Sequence, residues 1–328
     1  MPTRRRAGRL SFAALAATGG LVAADRTGRR RWEAADDPTD GRPLDLPPGS
    51  ERAVPTPDGT LLAVWEMGDP ARPPIVLGHG WTADRRVWAA VARRLVAAGH
   101  RVVAFDQRGH GHSTVGRSGY TVVALADDLR AVLEGLDARD AVVAGHSMGG
   151  MAAQAFAVGH KEVLAERVKH LVLVSTAARR PLYGGPGSRY ERLAIASTTW
   201  PALARGMADP HVGPWLVRLT FGAHPALCAL RATAESVVAT PVETRRGFLT
   251  DMAALDLTAD LPALDVPTTV VWGTRDALTL PSLVAEVADL IPRARSVVLH
   301  GLGHQLVFEA PDQLADVLGD AAAGPRRS

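Results

Sequence analysis

Short Val- and Leu-rich runs alternate along this chain with segments whose apolar residues recur at helical spacing, and no other feature constrains the fold as tightly. The runs are "PIVLGHG" (74–80), "HRVVAFDQRG" (100–109), "DAVVAG" (140–145), "HLVLVS" (170–175), "TTVVWGTRD" (268–276) and "RSVVLHG" (295–301). Between them lie "VWAAVARRLVAAG" (87–99), "TVVALADDLRAVLEGL" (121–136), a helix that begins after Ser147, one from Pro281 and a closing one from Pro311. A strand that is apolar on both faces needs cover on both faces. A helix between successive strands supplies it and returns the chain in the same direction. The expected fold class is therefore α/β, a mostly parallel twisted sheet with helices on both faces. Ahead of it, "ERAVPTPDGTLLAVWEMG" (51–68) is two extended runs around Pro57-Asp58-Gly59 and reads as a hairpin.

The alternation breaks once. Residues 177–256 separate two strands by far more than an ordinary connection. They hold helical pieces such as "RYERLAIAST" and "ESVVATPVETRRGFLTDMAAL". They are expected to form a helical cap over the C-terminal strand ends, where open α/β sheets bind ligands. The organisation read from the chain is a leader at 1–31, a linker at 32–50, a catalytic body at 51–176 and 257–322, the cap at 177–256 and a tail at 323–328.

The net charge of +3 hides an asymmetry. Residues 1–31 carry eight arginines against one acid, Asp25, so the rest of the chain is net acidic. An acidic body offers no electrostatic footprint for nucleic acid. The apolar stretch "LSFAALAATGGLVAA" (10–24) between the arginines has the length of a signal core and is short for a membrane span. It reads either as an export signal, with "VAA" before Asp25 as the cleavage site, or as a retained helix lying on a membrane or on the protein itself. The location is accordingly cytoplasmic, membrane-associated or exported. Cys228, the one cysteine, sits in "PALCALRATA" and reads as a small apolar residue of a helix.

The stretch "AGHSMGGMA" (144–152) follows a strand and opens a helix. That is the context of a nucleophile elbow, in which a serine sits on a strained turn with its hydroxyl exposed. Gly145 and Gly149 then leave room for strand and helix to approach, and the helix N-terminus brings backbone N–H groups to a developing oxyanion. A serine nucleophile needs a base and an orienting acid. In this chain order the acid follows a later strand and the histidine comes last. Asp276 ends "VVWGTRD", and His304 lies in "LHGLGHQLVFEAP" after the next strand.

With "LGHGW", "FDQRGHGHS", "GHSMGG", "WGTRD" and "GLGHQLVFEAP" in this order, the chain resembles the α/β-hydrolase superfamily over residues 51–322, nearest the esterase, monoacylglycerol-lipase and cofactor-free peroxidase branch. The resemblance implies Ser147 as nucleophile, His304 as general base and acid, and Asp276 as the orienting acid. It also implies an oxyanion hole made by the backbone N–H groups of Trp81 and Met148. A serine at the elbow suits an acyl-enzyme, which argues against epoxide hydrolase or haloalkane dehalogenase chemistry. The activity expected is hydrolysis of small-molecule carboxylic esters. Perhydrolysis, C–C hydrolysis and a non-catalytic small-molecule-binding role remain as alternatives, because one fold hosts many activities.

Other residues read more plainly. His79 is expected to brace the oxyanion loop beside the pocket, and His146 to point into the fold. "GHGHS" (109–113) reads as a loop, with Asp106 and Arg108 in a polar network rather than as metal ligands. Asp128 reads as a solvated or capping charge. Asp256 and Asp260 are the runner-up acids. Trp200 and Trp215 are expected in the pocket wall, and the cap as an apolar roof that disfavours charged acyl groups. No metal or dinucleotide motif is present in the sequence, so no cofactor is implied.

Overall fold

The computed structural model describes residues 28–179 and 201–324. Among them, eight strands form one sheet. They are β1 (Gly49–Pro55), β2 (Leu61–Met67), β3 (Pro74–Gly78), β4 (Arg101–Phe105), β5 (Ala141–His146), β6 (Val168–Val174), β7 (Thr268–Gly273) and β8 (Arg295–Leu299). Their order is β1-β2-β4-β3-β5-β6-β7-β8. β2 pairs antiparallel with β1 and β4, and β3 to β8 are all parallel. The hairpin and the parallel sheet stand as expected.

The two faces of the sheet follow from the period of two along each strand. On β3, Val76 packs into one core with Val143 of β5, while Ile75 and Leu77 join Val142 and Ala144 in the other. One face is covered by α2 (Val122–Gly135), α3 (Met148–Gly159) and α9 (Pro281–Leu290), the other by α1 (Ala89–Ala97) and α11 (Pro311–Ala323). Between α3 and β6 runs α4 (Lys161–Arg167). Before α11 runs a short α10 (Leu306–Glu309). Parallel strands end on one edge, so the loops after β3, β5, β7 and β8 gather there.

The insertion leaves that edge. Its stem is closed by an antiparallel bridge between Arg179 and Asp256 and by the Leu257 N–H donating to the Ala178 carbonyl at 2.8 Å. Its described helices are α5 (Pro201–Ala208), α6 (Gly213–Val217), α7 (Leu227–Ala239) and α8 (Val242–Met252). Cys228 lies on α7, as expected of a small helical residue.

Two expectations need correction. Asp128 is fully buried and receives both Nε and Nη2 of Arg108 at 2.7 Å each, while Arg108 Nη1 donates to Asp58 at 2.8 Å. A buried guanidinium needs a carboxylate, and the one that reaches it comes from twenty residues away on a helix whose pattern reads as amphipathic. The second correction concerns residues 32–50, which are not a free linker. The Arg93 guanidinium on α1 donates to the carbonyls of Thr39, Arg42 and Asp45 at 2.7, 2.9 and 2.8 Å. Arg94 does the same to Pro38 at 2.8 Å. Proline, glycine and aspartate keep this stretch irregular, and side chains from the body satisfy its carbonyls instead.

Residues 28–33 are helical, and Trp32 is 7% exposed, its ring centroid 4.5 Å from that of Trp215 on α6. The first residue of the segment expected to be linker is therefore an anchor on α6. Trp32→Ala should cost about 3 kcal/mol of folding stability, the scale of a buried aromatic truncated to alanine. Denaturant titration of the two proteins measures it, and equal midpoints would show that the anchor carries no load.

Candidate active site

β5 is fully buried at the centre of the sheet and ends at His146. The next residue, Ser147, has φ 53° and ψ −116°, a backbone region that costs a non-glycine residue about 1–3 kcal/mol. Only close packing holds it there. The Ser147 N–H donates to the Val174 carbonyl at 2.9 Å, and the Thr176 hydroxyl donates to the Ser147 carbonyl at 2.8 Å. Gly149 lets α3 seat against β3, since a Cβ there would lie 2.5 Å from the Gly78 carbonyl oxygen.

After β7, the Asp276 side chain folds back on its own loop. Its Oδ1 accepts the N–H groups of Leu278 and Thr279 at 2.8 and 2.9 Å. Its Oδ2 accepts His304 Nδ1–H at 2.9 Å and lies 2.8 Å from the Thr279 hydroxyl. Burial alone would raise the Asp276 carboxyl. The charge and hydrogen bond of His304, with the Thr279 hydroxyl and Leu278 N–H, outweigh it and hold the carboxyl below the ordinary range. An ionised Asp276 fixes the proton on His304 Nδ1 and leaves Nε2 free to accept one. Asp256 and Asp260 are exposed, and Asp256 accepts hydrogen bonds from Thr258. Neither runner-up acid reaches His304.

The loop after β3 runs beside the elbow. A Cβ on Gly80 would lie 3.3 Å from the Ser147 Cβ and 3.0 Å from His146 Nδ1. Among the described residues, neither the Trp81 nor the Met148 N–H has an acceptor. His79 is buried; its Nε2 accepts the Gln107 N–H at 2.9 Å, so Nδ1 carries the proton and donates to the Gly80 carbonyl at 2.8 Å. His146 Nε2 donates to the His304 carbonyl at 2.8 Å. Burial, helped by the charge of His304, pushes His146 down to about 3, so it stays neutral at working pH.

Ser147, His304, Gly80 and Trp81 open on a cavity of about 290 Å³. Met207, Leu216, Val217, Val237, Leu278 and Phe308 give it apolar walls. The roof is not wholly apolar, however, because Arg245 also lines it. Trp215 is not among the residues lining the cavity and packs on Trp32 instead, while Leu216 and the buried Val217 beside it on α6 do line it. The helical phase puts Val217, not Trp215, on the buried face of α6. Trp200 lies outside the described residues.

Several residues of the site escaped sequence reading. Thr176 and Thr279 pin the elbow and the acid from the loops after β6 and β7. The Glu309 carboxylate accepts the Gly222 N–H of the cap at 2.6 Å and the Gly303 N–H of the histidine loop at 3.1 Å. The Thr220 carbonyl of the cap accepts the His304 N–H at 2.9 Å. These are backbone partners distant in sequence, and the only hint was the short hydroxyl or carboxyl side chain itself.

A family model for the alpha/beta hydrolase fold matches residues 73–311 of the chain. A non-heme chloroperoxidase of Burkholderia pyrrocinia is 30% identical over 275 residues, covering 81% of this chain and 97% of that protein. A thermophilic esterase from Thermogutta terrifontis is 27% identical and superposes with a TM-score of 0.67, covering 83% of this chain and 97% of that one. An esterase from Exiguobacterium antarcticum, 21% identical, shares the fold with a TM-score of 0.72 over 84% of this chain and all of its own.

Glu309 also bears on pH. Burial pushes its carboxyl up from the ordinary 4.5 to about 7, against the N–H groups of Gly222, Gly303 and Gln305. Between those two values the native state holds more proton than the unfolded chain, so stability falls as pH rises. The contribution is complete below 4.5 and lost as pH passes about 7. Relative to Glu309→Gln, the wild-type Tm should therefore decline across this window. Parallel Tm curves for the two proteins would show that Glu309 does not titrate there.

Proposed function

The chain belongs to the α/β-hydrolase family, and from that premise we propose that it is a serine hydrolase of carboxylic esters acting through an acyl-enzyme. The observation that carries this reading is the strained Ser147 sharing one cavity with His304, whose Nδ1 is bound to Asp276. Ser147 Oγ attacks the ester carbonyl carbon while its proton passes to His304 Nε2. The N–H groups of Trp81 and Met148, which have no other acceptor among the described residues, hold the oxyanion. Asp276 stabilises the imidazolium. The alcohol leaves with the proton from His304. Water, deprotonated by His304, then attacks the acyl carbon, which releases the carboxylic acid and restores Ser147.

The wall formed by Leu216, Val217, Val237 and Phe308 favours apolar acyl chains. Each buried CH₂ contributes about 0.8 kcal/mol, roughly fourfold in kcat/KM, until the cavity is full.

A second reading has support from the chloroperoxidase relative. If hydrogen peroxide replaces water in the deacylation step, the acyl group leaves as a peracid and Ser147 is again restored. Peracid formed from acetate and peroxide by the wild type, and not by Ser147→Ala, would favour that activity. The basic leader, residues 1–31, is proposed to contact membrane surfaces. Co-sedimentation with anionic vesicles should require the residues before Gly28; equal sedimentation of a chain beginning there would sink the idea.

A fluorophosphonate probe should label Ser147, and p-nitrophenyl acetate and butyrate should turn over. Ser147→Ala and His304→Ala should each lower kcat by about 10,000-fold or more, since they act as one unit. Asp276→Asn should cost about 10,000-fold through the wrong histidine tautomer. Near wild-type hydrolysis by Ser147→Ala would overturn the assignment, and labelling without turnover of any ester would favour a binding role.

A further inference from the structure

We propose that the substrate carries a carboxylate, bound by Arg245 in the roof of the active-site cavity; this rests on the serine-hydrolase reading and names its substrate class. Arg245 lies on α8, four residues into the helix. Its backbone is pinned to the body, because its carbonyl accepts Trp81 Nε1–H at 3.1 Å and the neighbouring Thr244 hydroxyl donates to the Gly109 carbonyl at 2.9 Å. The side chain is only 6% exposed and lines the same cavity as Ser147 and His304. Its Nε is buried without a hydrogen-bond partner. Among the described residues, no carboxylate pairs with its guanidinium.

A buried, unpaired guanidinium is costly, and proteins retain one where an anion completes it. Among the described residues that line the cavity there is neither Asp nor Glu to supply such an anion. The other polar groups near α7 are already committed as donors, Thr233 to the Ala229 carbonyl and Ser236 to the Ala232 carbonyl, at 2.9 Å each. Among the described residues, Arg245 is therefore the one Lys, Arg, Asp or Glu side chain of the wall. A planar carboxylate matches its fork of N–H groups. At about 290 Å³ the cavity is small, so the carboxylate and the ester bond belong to one compact molecule. The same cation makes the apolar walls a selector: the chain between the two groups packs on Leu216, Val217 and Phe308, and its far end meets Arg245.

Two pairs of esters test this, with the carboxylate on the acyl side or on the alcohol side. The first pair is monomethyl glutarate against methyl 5-methylhexanoate; the second is 4-acetoxybenzoate against 4-acetoxytoluene. In the wild type, one anionic ester should exceed its neutral counterpart by tenfold or more in kcat/KM. Arg245→Met should lower that ratio at least tenfold, and Arg245→Lys should restore part of it. Free glutarate should slow fluorophosphonate labelling of the wild type, and dimethyl glutarate should not, which tests the site without any variant. Turnover of the neutral esters with no preference for either anionic one, and no protection by glutarate, would overturn the assignment of Arg245. Absence of both turnover and labelling would instead overturn the serine-hydrolase reading beneath it.

Discussion

The left-handed turn at Ser147 is the constraint on which the other parts of the site depend. A φ of 53° at a serine persists only where neighbouring structure over-determines it. Here the turn sits between the central strand of a parallel sheet and a helix buried along nearly its whole length. The next strand, β6, and the loop beyond it hold both of its peptide groups, through Val174 and Thr176. The strain is thus met by burial rather than by any single bond. Because β3, β5, β7 and β8 run parallel, the same edge receives the Trp81 loop, the Asp276 loop and the His304 loop without further design.

The cap is fastened to that edge at the histidine itself. The Thr220 carbonyl accepts the His304 N–H, and Glu309 bridges Gly222 and Gly303. The two backbones touch closely: a Cβ on Gly222 would lie 2.7 Å from the Leu302 Cα, and one on Gly303 would lie 2.8 Å from the Phe221 Cα. A shift of the segment around residue 220 therefore moves the imidazole as well as the roof. On the far side of the cap, Trp32 packs on Trp215, so the chain ahead of β1 bears on the same assembly.

The sheet and the hairpin were legible because each rests on local pattern. Strand periodicity, the glycines around Ser147 and the chain order of Asp276 and His304 are all readable within a few residues. What escaped reading depends on partners far apart in sequence. Asp128 looks like a surface charge on its helix and becomes the buried partner of Arg108 only when the loop after β4 folds over it. Residues 32–50 look like a linker because the arginines that fix them, Arg93 and Arg94, lie on α1. Trp215 looks like a pocket wall because it is large and apolar, yet the phase of a five-residue helix buries Val217 and leaves Trp215 to pack on Trp32.

The same limit explains Arg245. In "ETRRGF" two adjacent arginines are indistinguishable by composition, and a 100° step around the helix separates them. Arg246 faces solvent, where its charge is hydrated and screened. Arg245 faces a cavity where, among the described residues, no acid lines the wall and no counter-ion meets the same charge. Two side chains of one type, one position apart, thus meet opposite electrostatic conditions. The buried one stays compatible with a stable fold if an anion spends much of its time beside it, and in a hydrolase cavity the group best placed to do so is part of the molecule being cleaved.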